Sequence, residues 1–145
     1  MRIVRYKNCW SEPFYGRVRE CIVATHERLV AADLASPAIR QYLNGVEITF
    51  SGRLRRSAGT AKLKTNRIVL NIRLLVANPD SLLEVIVHEV AHLLACRLYA
   101  ESSHGPRWKE LMERLGFEAR RCHTMDTSFL RGVWFGEPAE ERPRK

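Results

Sequence analysis

Between residues 11 and 35 apolar residues recur at helical spacing: Phe14, Val18, Cys21, Ile22, Leu29 and Val30, with polar residues between them. That period predicts an amphipathic helix, with Ser11 as a weak cap and Pro13 tolerated in its first turn. "ASPAIR" ends it, because Pro37 pushes Ser36 out of helical geometry. From residue 46 the period shortens to two. Val46, Ile48 and Phe50 alternate in "VEITF", "RLRRSAGTAKLKT" reads as two strands around a turn at Gly59, and "RIVLNI" makes a further strand. Alternation turns Leu54, Ala61 and Leu63 inward, and Arg53, Arg55, Thr60, Lys62 and Lys64 outward together. "NPDSLLEVIVHEVAHLLACRLYA" then returns to helix, with Ser81 and Glu84 spaced as a capping box. After "ESSHG", Pro106 opens another helix whose Trp108, Leu111, Met112 and Leu115 share a face and whose stop is Gly116.

These elements describe an α+β domain. It has an N-terminal helix, a small antiparallel sheet of about three strands, a long helix carrying H-E-x-x-H, and a helix after it. A chain of 145 residues is long enough for one hydrophobic core, and a single domain is expected over residues 1–135. The polar, proline-containing "GEPAEERPRK", residues 136–145, is expected to be a disordered tail. "MRIVRYKNCW" lacks the apolar run of a signal peptide, and no stretch has the length of a membrane span. A cytoplasmic, monomeric protein is therefore expected. The four cysteines contain no C-x-x-C pair, so neither a disulfide framework nor a zinc ribbon is indicated. Cys96, one turn beyond His92, is expected to be a small apolar filler.

Charge changes the picture because it is uneven. The net charge of +8 is made of +2 over residues 1–50 (7 basic, 5 acidic), +6 over 51–80 (7 basic, 1 acidic) and 0 over 81–145 (10 of each). The excess on residues 51–80 is the footprint of a polyanion-binding surface. Arg53, Arg55, Lys62 and Lys64 are its candidate nucleic-acid contacts, set against the plainer reading of an edge sheet kept soluble by basic residues.

The chemistry lies in "EVIVHEVAHLLACRLYAESSHGPRW". Residues four apart on a helix share a face, so His88 and His92 can offer two imidazole nitrogens to one ion. Glu89 is turned about 100° from His88, beside such an ion, where it can take a proton from metal-bound water. The apolar flanks Val85, Ile86, Val90, Leu93 and Leu94 bury the motif, and buried ionisable groups without partners are expensive. His104 is the best third ligand, because the step from His92 is long enough to finish the helix and double back, and Gly105 can take backbone angles that aim the ring. Glu101 is the competing third ligand. His26 and His123 lack ligand spacing and are expected to be surface or structural residues; the alternative for His123 is a place near the site, assisting a transition state.

The series "RIVLNIRLL", "LLEVIVHEVAHLLA" and "SSHGPRWKELMERLG" resembles the SprT-like metallopeptidase family, SprT and the Spartan-type proteases among them, over roughly residues 10 to 125. In that family a small sheet precedes the H-E-x-x-H helix, and a histidine in an H-G-x-x-aromatic step completes the site; His104, Gly105 and Trp108 match it. The resemblance implies one zinc per chain held by His88, His92 and His104, with Glu89 as general base. It departs from the family's cysteine-based zinc ribbon, since nothing after Cys122 and His123 completes one. The function expected is a zinc-dependent endopeptidase acting on protein substrates, including DNA-associated or DNA-crosslinked proteins held through strands 53–64. The alternative is a zinc-stabilised DNA-binding module with little turnover. A zinc-dependent RNase would use a compact H-x-x-x-H-x-x-x-x-x-H run, which the longer step to His104 does not match.

Overall fold

A computed structural model describes residues 1–7, 9, 11–125 and 127. The expected tail at 136–145 and the domain end at 135 lie outside the described residues. Ser11 caps the first helix, α1 (Glu12–Ala31), accepting the Phe14 N–H at 3.2 Å. The helix stops short of residue 35 because Asp33 takes the left-handed conformation at φ 58°, which aspartate tolerates. Pro37 does more than end it. Ser36 accepts the Ile39 N–H, and Pro37 opens a second, unexpected helix, α2 (Pro37–Asn44), at the position where its fixed φ suits a first turn.

The sheet has four strands, β1 (Arg2–Ile3), β2 (Glu47–Ser51), β3 (Gly59–Lys62) and β4 (Arg67–Asn71), in the order β1-β2-β4-β3. It is mixed rather than antiparallel: β1 and β4 run parallel to β2, and only β3 is antiparallel to β4. Alternation dictates which face a strand buries, and Ile48 and Phe50 do pair with Ile68 and Leu70 as buried rows. It leaves open which strand becomes the neighbour. Here the segment after β2 crosses over so that β4 inserts between β2 and β3.

Gly59 is the first residue of β3, not a turn between two strands. A Cβ there would sit 3.1 Å from the Val69 carbonyl and 3.3 Å from both Leu70 Cδ2 and Val85 Cγ1, so glycine supplies close approach to the neighbouring strand and helix. The turn comes later, where Asn66 adopts φ 52°. Asn71, fully buried, ends β4 and organises what surrounds it. Its side-chain oxygen accepts the Leu74 N–H, starting the short helix α3 (Ile72–Ala77), and its amide donates to the Leu54 and Ser57 carbonyls.

A 3-10 turn at Pro79–Ser81 leads into α4 (Leu82–Tyr99), which packs on α1, on β3 and on α5 (Pro106–Arg114). The expected capping box does not form. Ser81 is already wound into the turn at φ −92°, ψ −5°, and its side chain makes no cap bond; Glu84 pairs with Arg120 instead. Ten residues of α4 are buried, Glu89 among them, as befits a helix apolar nearly all round. Gly116 ends α5 as expected, at φ 91°. No helix among the described residues is long and apolar enough to cross a membrane.

Candidate metal centre

The helical register of α4 sets His88 and His92 one turn apart, with ring centroids at 5.0 Å. The loop after Ala100 folds back and brings His104 Nε2 to 3.1 Å from His92 Nε2 and 3.3 Å from His88 Nε2. Tetrahedral bonds of about 2.0–2.1 Å need nitrogens roughly 3.3 Å apart; the two separations from His104 meet that, and all three donor atoms lie within 4.8 Å of one another. Three ring nitrogens crowded together cannot satisfy one another by hydrogen bonding alone; an ion would give each lone pair a partner. The donor set could hold a metal ion and fits zinc.

Electrostatics prepare the same use. Burial, with the His104 ring second, pushes the His88 imidazole down to about 4. Burial and the two other imidazoles push His92 to about 3. His104 is lowered by burial and by the charge of Arg121. All three rings are thus neutral, with lone pairs available, at ordinary pH. Glu89, 5% exposed, is pushed up to about 8 by burial. Among the described residues no hydrogen bond reaches its carboxylate, which opens on cavities of about 600 and about 280 Å³ that meet at His88 and Glu89.

Trp108 supports all three imidazoles. It is fully buried, stacks on His92 at 5.2 Å and 16°, meets His88 and His104 edge-on at 4.8 and 4.6 Å, and donates its Nε1–H to the His88 carbonyl at 3.3 Å. Glu101 is not among the converging donors. Its carboxylate accepts the N–H groups of Trp108 at 2.8 Å and Arg107 at 3.3 Å, capping α5 in place of Gly105, which has no side chain to do so. Gly105 itself has an ordinary φ of −85°. It is needed for space, since a Cβ would lie 2.6 Å from a Glu101 carboxylate oxygen.

A family model, the SprT-like family, matches residues 28–128. The chain belongs to the SprT-like family. Protein SprT of Vibrio parahaemolyticus is 37% identical over 105 residues, 70% of this chain and 63% of that protein. Protein SprT of Salmonella arizonae is 44% identical, and that of Escherichia coli 42%, each over 78 residues covering 52% of this chain and 47% of the relative. Over these matches the chain covers 47% to 63% of the relatives' own length. No solved structure matches it significantly.

In this SprT-like domain the other candidate residues divide. The basic residues do not form one stripe. Arg53 and Arg55 sit in the bends after β2, beside the Asn71 end of β4, whereas Lys62 closes β3 opposite Arg67 and Lys64 lies in the following turn. The two groups are separated by the length of β3, about 10 Å at the rise of an antiparallel strand. Residues 53–58 are not a strand, so period-two alternation does not run through them. Cys96 is half-buried and its sulfur is not in the donor cluster. His123 lies against the cleft, but both ring nitrogens are engaged. Nδ1 accepts the Met125 N–H at 3.0 Å, which leaves Nε2–H to donate to the Arg56 carbonyl. His26 is exposed on α1.

Proposed function

We propose that this chain is a zinc-dependent endopeptidase. The observation that carries it is the convergence of three neutral imidazoles beside a buried carboxylate that takes no hydrogen bond among the described residues and opens on a cleft. A bound zinc would supply an acidified water and a positive charge for the scissile carbonyl. The chain's own residues supply the rest. Glu89 accepts the proton of that water and passes it to the leaving amine nitrogen. Burial alone raises the carboxyl to about 8; a cation next to it draws that value down, into the range where a carboxylate can both take and return a proton near neutral pH. A site needed only for folding has no use for an acid held in this way.

The substrate's path is supported by the sheet. β3 is an edge strand, and Gly59, Thr60 and Ala61 line the smaller cavity with His88 and His92. An extended polypeptide that paired with this edge would lie along the cleft with a peptide bond at the centre. The basic groups at the two ends of β3 make DNA-associated proteins the substrates we favour, with phosphates gripped at Arg53 and Arg55 on one side and Lys62 and Lys64 on the other. Replacing Glu89 by glutamine tests the proposal, because it separates metal binding from turnover.

A further inference from the structure

Five residues line both cavities: Ser57, Gly59, His88, Glu89 and Arg121. His88 and Glu89 belong to the centre, and Ser57 and Gly59 offer small groups and backbone. Arg121 is the one cation at that junction among the described residues. It belongs to no helix or strand: it lies in the irregular chain after α5, exposed, in a stretch whose neighbours are tied down. Arg120 holds both oxygens of Glu84, at 3.2 and 3.3 Å, and Glu84 is one turn before His88 on α4. On the other side His123 bonds the Arg56 carbonyl and the Met125 N–H. Two anchors flanking a residue from either side are how a loop fixes a charge over a site. Arg121 lines the smaller cavity together with His88, His92 and His104.

We propose that Arg121 is a charge-stabilising catalytic residue that donates hydrogen bonds to the oxygen of the scissile carbonyl as negative charge develops on it. The inference rests on the endopeptidase reading. In the step it serves, the water oxygen bonds to the carbonyl carbon, a water proton moves to Glu89, and the C=O π pair moves onto oxygen. That oxygen becomes an anion facing the guanidinium. Collapse re-forms C=O, breaks C–N, and sends the proton from Glu89 to the departing nitrogen, leaving a carboxylic acid and an amine. A guanidinium at this junction stabilises the anion more than the neutral carbonyl, and that difference is what accelerates the step. His123 cannot serve, because both its nitrogens are committed.

The test uses the zinc-loaded chain, Arg121→Gln and Arg121→Lys, with zinc content measured for each. The probe is a peptide in which one amide is replaced by a phosphinate, a tetrahedral anion, and its binding is followed by calorimetry; the parent peptide is bound in the Glu89→Gln background. Arg121→Gln should weaken phosphinate binding and lower kcat by roughly tenfold to hundredfold, leave parent-peptide binding within about twofold, and be partly rescued by lysine. Unchanged phosphinate binding by Arg121→Gln, or an equal loss for both peptides with only KM affected, overturns the assignment while leaving the endopeptidase reading intact. If wild type fails to bind the phosphinate and Glu89→Gln still cleaves, both fall together.

Discussion

The indole of Trp108 stacks on the imidazole of His92 at 5.2 Å, nearly parallel, while its Nε1–H holds the His88 carbonyl. One side chain from α5 thus sets the position of rings that belong to α4 and to the loop between them. Trp108→Ala should cost about 3–5 kcal/mol, the range for emptying a buried aromatic site, and should release metal as well. Trp108→Phe separates the two effects. It keeps most of the packing, loses the Nε1–H bond, and should lower metal affinity by about tenfold, the lower end for losing a group that orients a ligand. Thermal unfolding and chelator competition measure the two quantities independently.

Gly105 and Glu101 form a matched pair. Gly105→Ala puts a methyl group against the Glu101 carboxylate, and either the cap on α5 or the His104 loop must yield. We expect a loss of about 1–2 kcal/mol, the scale of a helix cap. Removing the carboxylate by Glu101→Ala should cost a similar amount alone but little more in the double variant, because the clash disappears with it. A double-mutant cycle on urea unfolding checks this; strictly additive losses would mean the two residues do not share one constraint.

The parts of this centre that could be read from the sequence are those in which spacing alone determines geometry. His88 and His92 are one helical turn apart whatever surrounds them, and Glu89 follows from the same register. His104 also follows, because the loop length limits where it can go. Glu101 and Arg121 are different. Glu101 is a cap only because α5 begins with a glycine and folds back onto it, and Arg121 reaches the centre only because Arg120 finds Glu84 on another helix. The sheet divides in the same way: Ile48, Phe50, Ile68 and Leu70 announce their buried face, yet the parallel pairing of β2 with β4 depends on the path of residues 52–58. The two unexpected helices were hidden by local ambiguity. Pro37 ends one helix and begins the next, and "IRLLVA" continues the apolar run of β4 without a break in composition.

Without metal, the centre should make stability peak near pH 6.5. His88 and His92 have folded-state values of about 4 and 3, below the usual 6.5. The unfolded chain therefore binds more protons between those limits, and stability is lost as pH falls below 6.5. Glu89 acts in the opposite sense. Its value, raised to about 8 from 4.5, makes the folded state the better proton binder, so stability declines as pH rises toward 8. Melting temperatures of chelator-treated protein from pH 4 to 9 test this. The decline on the alkaline side should vanish in Glu89→Gln, and a profile identical in the variant would contradict the assignment.

With DNA held at the two ends of β3, the two basic groups act as separate phosphate clamps. Neutralising Arg53 and Arg55, or Lys62 and Lys64, should each weaken DNA binding irrespective of sequence and reduce the slope of log K against log salt by roughly 2. Neutralising all four should remove about twice that. Titrations at several salt concentrations read the slope directly, and a slope unaffected by any of the three variants would leave these residues as solubility charge.

The central claim is that the three imidazoles hold a metal for turnover and that Glu89 moves the proton. Its most direct test is metal content and peptide cleavage measured on the same preparations of wild type and Glu89→Gln. The account predicts one zinc per chain in both proteins, with cleavage in the variant lower by about 10²–10⁴, the range for losing a general base. Full cleavage by a zinc-loaded Glu89→Gln protein would contradict it.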